Sequence, residues 1–289
     1  MALLTVCVPC FNASRTIEVA ITSLLSQTFR DFECIVIDNC SVDNTFNILA
    51  RLVSGDSRFK LIRNDVNQGA ADSFYRLGMM VQTEYMCYLS SDDYFASDYL
   101  ERALALLVAS PSVVCVTGRT LRFRANGFSR YSDGTFSIND RCSKARMGKY
   151  LEAVTDNSRF HGVYRSSTIQ KINLKMTLFA GDLAFTLLTL REGAHIEIKS
   201  NSPMVWRELP SGMAKYFPGG SLFSLKAIGL LLFPARSLVL VVMRRLRLDE
   251  IFYLLPNLLW INTVLFYSVL MNYASTIKAK FQRNIPADS

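Results

Sequence analysis

Two adjacent aspartates, Asp92 and Asp93, follow an apolar run, Tyr85–Leu89, and two serines. Carboxylates at the end of a strand suit a hard cation. Mg²⁺ or Mn²⁺ takes oxygen ligands, and when it bridges a diphosphate it needs only one or two carboxylates from the protein. Two aspartates also cap a turn equally well, so the pair alone leaves both readings open. Asp38 closes a second apolar run, Glu33–Ile37, where its carboxylate can accept hydrogen bonds from a base or ribose. Phe11 follows a third run, Leu3–Val8, and offers a flat ring on which a base can stack. Singly these are weak signals, because such an Asp often caps a helix and Phe is usually core. Together they fall just beyond the ends of strand-like segments.

The elements that must position them alternate regularly. Leu3–Val8, Glu33–Asp38, Phe59–Arg63, Tyr85–Leu89 and Ser112–Thr117 read as strands. Between them, apolar residues recur at helical spacing: Ile17, Ile21, Leu24 and Leu25, then Leu49, Leu52 and Val53, then Leu104, Leu107 and Val108. Asn12 or Ser14 can cap the first helix, and Asp98 with Glu101 has the spacing of a capping box. Asn67-Gln68-Gly69 reads as a turn opening a further helix. This order predicts an α/β protein of βαβ units around a mainly parallel sheet. Ligands bind beyond the carboxyl ends of such strands, where Pro9–Asn12, Asp38–Asp43, Asn64–Gly69 and Ser90–Asp93 stand. From 119 to about 210 the pattern loosens into a basic, irregular stretch.

The chain has 289 residues, half of them apolar, so one large domain with an appendage is expected. The opening MALLTVCVPCF has no basic leader region, which predicts a fold beginning in the cytoplasm. The 7 cysteines have no framework spacing, and several lie in apolar runs. They read as buried thiols, with a zinc or redox role for Cys7-x-x-Cys10 as the lesser alternative. The first strand is not followed by GxGxxG, which argues against a dinucleotide oxidoreductase, and an early Gly-rich basic loop of nucleotidyltransferase type is missing.

The opening VCVPCFNASRTIEVAITSLLSQTFRDFECIVIDNCSVDNT, with RNDVNQGAADS and YLSSDDYFASDYLERAL, resembles the family 2 glycosyltransferases of the GT-A fold. The likeness is close over residues 3 to 118 and looser to about 215. It implies residues 1–118 as a nucleotide-sugar half, 119–220 as an acceptor half, and 221–289 as an apolar helical tail. It further implies that Pro9, Phe11 and Asp38 hold the nucleoside of a nucleoside-diphosphate sugar, UDP-sugar favoured. Asn67 would lie beside them, Asp92 would bind Mn²⁺ or Mg²⁺ on the diphosphate, and Asp93 would help. Gly181-Asp182 in FAGDLAFTLLTL fits the place of the family's general base. Asp182 would take the proton of an acceptor hydroxyl as it attacks the anomeric carbon, inverting configuration; an N-cap is the alternative. The acceptor class is a glycan or lipid-linked glycan of a surface polysaccharide. Two departures stand out: Ser90 replaces the Asp that usually opens the Asp-x-Asp, and Asp38-Asn39 replaces Asp-Asp. Both remove negative charge, which admits a catalytically degenerate nucleotide- or partner-binding protein as the alternative. His161 reads as a packing or acceptor-side residue.

Beyond residue 200, ten basic residues against four acidic ones leave a net of +6. Joined to the apolar segments Ser221–Met243 and Ile251–Ala274, this points to an anionic membrane surface and not to nucleic acid. Helices lying in the cytoplasmic interface of the plasma membrane are expected, with a single span by Ile251–Ala274 as the runner-up and helices packed on the catalytic domain as the third reading.

Overall fold

The computed structural model describes residues 2–123, 127, 129–132, 134–153, 157–175, 181–200, 203–208 and 236–263. The chain divides into two compact units, Met1–Thr177 with Phe185–Leu209, and Leu178–Ala184 with Pro210–Ser289.

The first unit is built on a seven-stranded sheet. Strands β1 (Leu4–Cys10), β2 (Phe32–Asp38), β3 (Phe59–Arg63) and β4 (Tyr85–Tyr88) run parallel to one another. β6 (Val113–Thr117) is parallel to β10 (Ala194–Glu197), and β9 (Val163–Arg165) is antiparallel to both β4 and β6. The order is β10-β6-β9-β4-β1-β2-β3. β1 and β2 are buried almost throughout, as continuous apolar strands covered on both faces should be. Edge strand β3 is only partly buried.

The crossovers are α1 (Ile17–Leu25), α2 (Thr45–Leu52) and α3 (Ala70–Met80), followed beyond β4 by α4 (Tyr99–Ala109). α1 buries Ile17, Ala20, Ile21 and Leu24, the stripe its sequence spacing predicts. Each such side chain contributes on the order of 1.5–3 kcal/mol when fully buried. Its cap differs from expectation. Thr16 stands at the N-cap without a side-chain cap bond, while Asn12 takes a left-handed φ of 49° and its Oδ1 accepts from the Val42 backbone N–H at 2.9 Å. Nor does Asp98 close a capping box. Its carboxylate pairs with Arg102 at 3.4 Å, and Glu101 accepts from the Thr28 hydroxyl at 2.6 Å. Asn12 and Glu101 are each taken by a partner distant in sequence, and Asp98 by an arginine one turn on.

A second, four-stranded sheet has the order β5-β11-β7-β8, from β5 (Asp93–Phe95), β11 (Val205–Glu208), β7 (Thr120–Phe123) and β8 (Ser129–Tyr131). Part of the stretch read as irregular is therefore strand. These strands are three or four residues long, too short to show periodicity, and β11 joins β5 and β7 from far away in sequence. Helices α5 (Ser143–Ala153), α6 (Ser166–Ile172) and α7 (Gly181–Glu192) complete the list up to β10.

In the second unit, α8 (Arg236–Arg245) and α9 (248–263) are described; the expected segments Ser221–Met243 and Ile251–Ala274 lie outside the described residues at 221–235 and 264–274. None of the helices among the described residues is long and apolar enough to cross a membrane. All seven cysteines are free; Cys7, Cys10, Cys34, Cys87 and Cys115 are buried, Cys40 is half-buried and Cys142 exposed.

His195 on β10 is fully buried, edge-on to Tyr164 with ring centroids 6.0 Å apart. Burial, with repulsion from Arg159 and Arg146, holds its pKa well below the ordinary 6.5. The folded chain thus keeps the ring neutral, whereas the unfolded chain protonates it below that value. Its contribution is whole above about pH 6.5 and is lost as pH falls, by about 1.4 kcal/mol per unit. A His195→Phe variant should therefore show a melting temperature that falls less between neutral and mildly acidic pH than the parent's; parallel curves in a thermal-melt pH series would refute it.

Candidate active site

The strand order reverses at β1. The chain runs outward through β2 and β3, then returns to place β4 on the other side of β1. Between β1 and β4 the loops leave in opposite directions and open a crevice at the carboxyl ends of the strands. A pocket of about 300 Å³ occupies it, lined by Pro9, Phe11, Asn39, Asn67, Ser90 and Asp92 among others. The first turn of α3 contributes Ala70 and Ser73, and Phe74 forms part of the wall. The positive end of a helix and its free N–H groups favour an anion there. Phe74 is anchored to the core through edge contacts with Tyr88 and Phe160, at 5.3 and 5.2 Å between ring centroids.

The expected site residues divide into three groups. Pro9, Phe11, Asn67 and Asp92 meet on the pocket, with the Phe11 ring 45% exposed at its mouth. Asp38 is fully buried behind Asn39. Its Oδ1 accepts from the Ser41 backbone N–H at 3.2 Å and from the Ser41 hydroxyl, and Oδ2 lies 3.4 Å from Arg63 Nε but accepts no hydrogen bond. Asp93, expected beside Asp92 at the nucleotide sugar, faces inward instead. It is buried, and its Oδ2 stands 3.4 Å from Nε2 of the equally buried His161. The physical reason is the alternation of β5, which opens at Asp93: side chains there point alternately to the core and away from it. His161 Nδ1 also stands 3.2 Å from the Tyr88 carbonyl, so the imidazole joins the loop after β4 to the strand itself. Asp182 lies exposed in the first turn of α7, its Oδ1 accepting from the Leu183 N–H at 3.0 Å; it belongs to the second unit.

An asparagine network went unread in the sequence. Asn39 donates to Asn67 Oδ1 at 2.8 Å, while its own Oδ1 accepts from Asn64 Nδ2 at 2.8 Å and from the Gln68 N–H at 3.0 Å. Asn67 Oδ1 also accepts from the Gly69 N–H at 2.8 Å, and Arg76 donates to Asn64 at 2.9 Å. Gly69, with φ of 86°, makes the left-handed step from this loop into α3. The clue was available: three asparagines, Asn39, Asn64 and Asn67, all stand just beyond strand ends. On the neighbouring loop Asp43 accepts from the Thr45 and Ser14 N–H groups at 3.0 and 3.1 Å, tying the β2–α2 loop to the β1–α1 loop. Although desolvation opposes them, these bonds lower its pKa to about 2.

The donor set suits a hard cation only as a partial site. Among the described residues, no group of three or more His, Cys, Asp or Glu side chains could hold a metal alone. Asp92 with Ser90 and Ser91 nevertheless offers oxygen donors on the pocket, which fits an ion completed by the oxygens of a bound diphosphate.

The family model described as Glycosyl transferase family 2 matches residues 5–172. The putative teichuronic acid biosynthesis glycosyltransferase TuaG of Bacillus subtilis is 32% identical over 119 residues, 41% of this chain and 47% of that protein. The UDP-Glc:alpha-D-GlcNAc-diphosphoundecaprenol beta-1,3-glucosyltransferase WfgD of Escherichia coli is 33% identical over 107 residues, 37% of this chain and 41% of that protein. The chain thus spans less than half the length of these curated relatives. The crystal structure of S. aureus TarS 1-349 in complex with UDP-GlcNAc has the same fold, with a TM-score of 0.65 at 18% identity over 88% of this chain and 69% of that one. The fold is accordingly GT-A-like, as the resemblance implied.

Asn39 is the position at which the family's usual second aspartate is missing, and the network explains why an amide fits. A carboxylate there would keep the two accepted bonds but set an oxygen against Asn67 Oδ1. The variant Asn39→Asp should lose about 1–3 kcal/mol, the cost of an unsatisfied buried polar group. A melting temperature equal to the parent's, measured without ligand, would show the network to be incidental.

Proposed function

Because the chain belongs to glycosyl transferase family 2, we propose that it moves a sugar from a nucleoside-diphosphate sugar to a hydroxyl of a glycan or lipid-linked acceptor, in the building of a surface polysaccharide. The observation that carries this reading is the pocket at the β1/β4 switch point, where an exposed aromatic ring, an amide network, a helix N-terminus and one carboxylate meet. Phe11 and Pro9 provide the face for a base. Asp38, buried beneath the pocket with one oxygen 3.4 Å from Arg63, is the candidate acceptor for an N–H of the base. A uracil ring supplies one, and the relative WfgD is named for UDP-Glc, so a UDP-sugar is the favoured donor. WfgD is also named for a diphosphoundecaprenol acceptor, which supports the lipid-linked class.

Asp92 would hold Mn²⁺ or Mg²⁺ against the diphosphate. The ion supplies charge neutralisation for the departing nucleotide. The remaining work falls to the chain itself. Phe11, Asn67 and the first turn of α3 hold the donor, and the Asp93–His161 contact keeps the Asp92 loop in place. Asp182 is the candidate base. Exposed in the first turn of α7, its carboxylate is able to take the acceptor's proton. Attack from the face opposite the leaving nucleotide then inverts the anomeric centre.

A second reading has one observation in its favour: Ser90 stands where an aspartate usually begins the metal loop. A nucleotide-binding protein without turnover would use the same pocket. Thermal shift across UDP-, GDP- and dTDP-sugars with Mn²⁺ should show a UDP-sugar raising the melting temperature most; a ligand at a hundred times its dissociation constant stabilises by about 2.7 kcal/mol. With that donor, Asp92→Ala should abolish both the shift and sugar transfer or hydrolysis. Asp182→Asn should keep the shift and lose at least about a hundredfold in turnover, as expected for a general base. Binding without turnover in the parent chain would favour the second reading, and unchanged turnover in both variants would remove these residues from the site.

A further inference from the structure

Helix α9 is built unlike an ordinary surface helix. Ile251, Leu254, Leu258 and Ile261 form its buried stripe. On the far side, where charged residues usually stand, Leu248, Phe252, Tyr253, Leu255, Leu259 and Trp260 face solvent. Phe252 is 71% exposed and Trp260 61%. From Ile251 to Thr263 there is no charged residue at all. The start of the helix is fixed, because the Arg247 backbone N–H donates to Glu250 Oε2 at 2.8 Å. Just before it, at the end of α8, Leu240 and Met243 are exposed, exposed Arg244 and Arg245 follow, and Arg247 pairs with Asp249 at 3.5 Å and Glu250 at 3.8 Å.

An apolar face bordered by arginines matches a layered partner, apolar inside and phosphate-bearing outside. A protein surface would answer the apolar stripe alone. The aromatic residues fit the same partner, since Trp and Tyr favour the boundary between headgroups and acyl chains. We infer that α9 lies flat in the surface of an anionic bilayer, with Phe252, Tyr253, Leu259 and Trp260 sunk to the acyl boundary and Arg244 and Arg245 at the lipid phosphates. This supplies a place of action for the sugar-transfer reading without resting on it.

The full chain should float with vesicles of phosphatidylcholine and phosphatidylglycerol, and less with phosphatidylcholine alone or in high salt. The chain has 2 tryptophans, so a Trp206→Phe background leaves Trp260 as the reporter. Its emission should move to shorter wavelength on vesicle addition. Arg244→Gln and Arg245→Gln should each lower vesicle partitioning about fivefold, and Phe252→Ser with Trp260→Ser at least about tenfold. Both changes replace exposed side chains, and far-ultraviolet circular dichroism checks that the variants fold. An alkaline carbonate wash should strip the protein from the vesicles. Absence of flotation, flotation with no Trp260 shift, or retention through carbonate would each overturn the inference, the last in favour of a span. Self-association in lipid-free solution that Phe252→Ser removes would overturn it too, showing the face to be a contact between copies. Vesicle binding by a chain that binds no nucleotide sugar would leave the docking face standing and remove the donor pocket's assignment instead.

Discussion

Burial of β1 on both faces and along both edges is the constraint on which the rest of the molecule depends. Every residue from Leu4 to Val8 is buried, and the strand is hydrogen-bonded to β2 on one side and β4 on the other. A strand so enclosed has no freedom of register, because a one-residue slip would exchange the side chains packed on its two faces. Pro9, Phe11 and the left-handed Asn12 must then emerge at one fixed height. Since β2 and β4 are parallel to β1, their carboxyl ends reach the same level, and Asp38, Asn39 and Ser90–Asp92 arrive there as well.

The polar residues at that level do different work despite their similar chemistry. Asp38 is held beneath the pocket by Ser41 and Arg63, Asp93 turns into the core toward His161, and Asp92 alone of the three lines the pocket. Two carboxylates on adjacent residues thus part company because β5 begins between them and alternates. The loss of negative charge at Ser90 and Asn39 takes on a structural meaning at the second position. The Asn39 amide both donates and accepts within a closed set of side-chain and backbone partners, a task that an ionised carboxylate, which only accepts, does not perform.

The second unit follows another logic. Its helix α9 buries one stripe and exposes another of similar apolarity, so helical periodicity is present while the usual polar face is missing. Composition already showed the tail to be apolar and basic; burial adds which of its residues face outward.

From the residues alone came the alternation of strand and helix, the parallel core, the level at which chemistry had to be sought, and the motifs of a nucleotide-sugar family. These are local properties: apolar runs, helical spacing and short polar segments at strand ends carry their own signal. The second sheet, the inward turn of Asp93, the asparagine network and the displaced helix caps came only with the tertiary structure. Their deciding contacts join groups dozens of residues apart, such as Asp93 with His161 or Thr28 with Glu101, and strands of three or four residues have too little pattern to announce themselves. Where a side chain's fate is set by the nearest neighbours in the chain, the sequence is enough; where distant groups compete for the same hydrogen bond, only the folded arrangement decides which one wins.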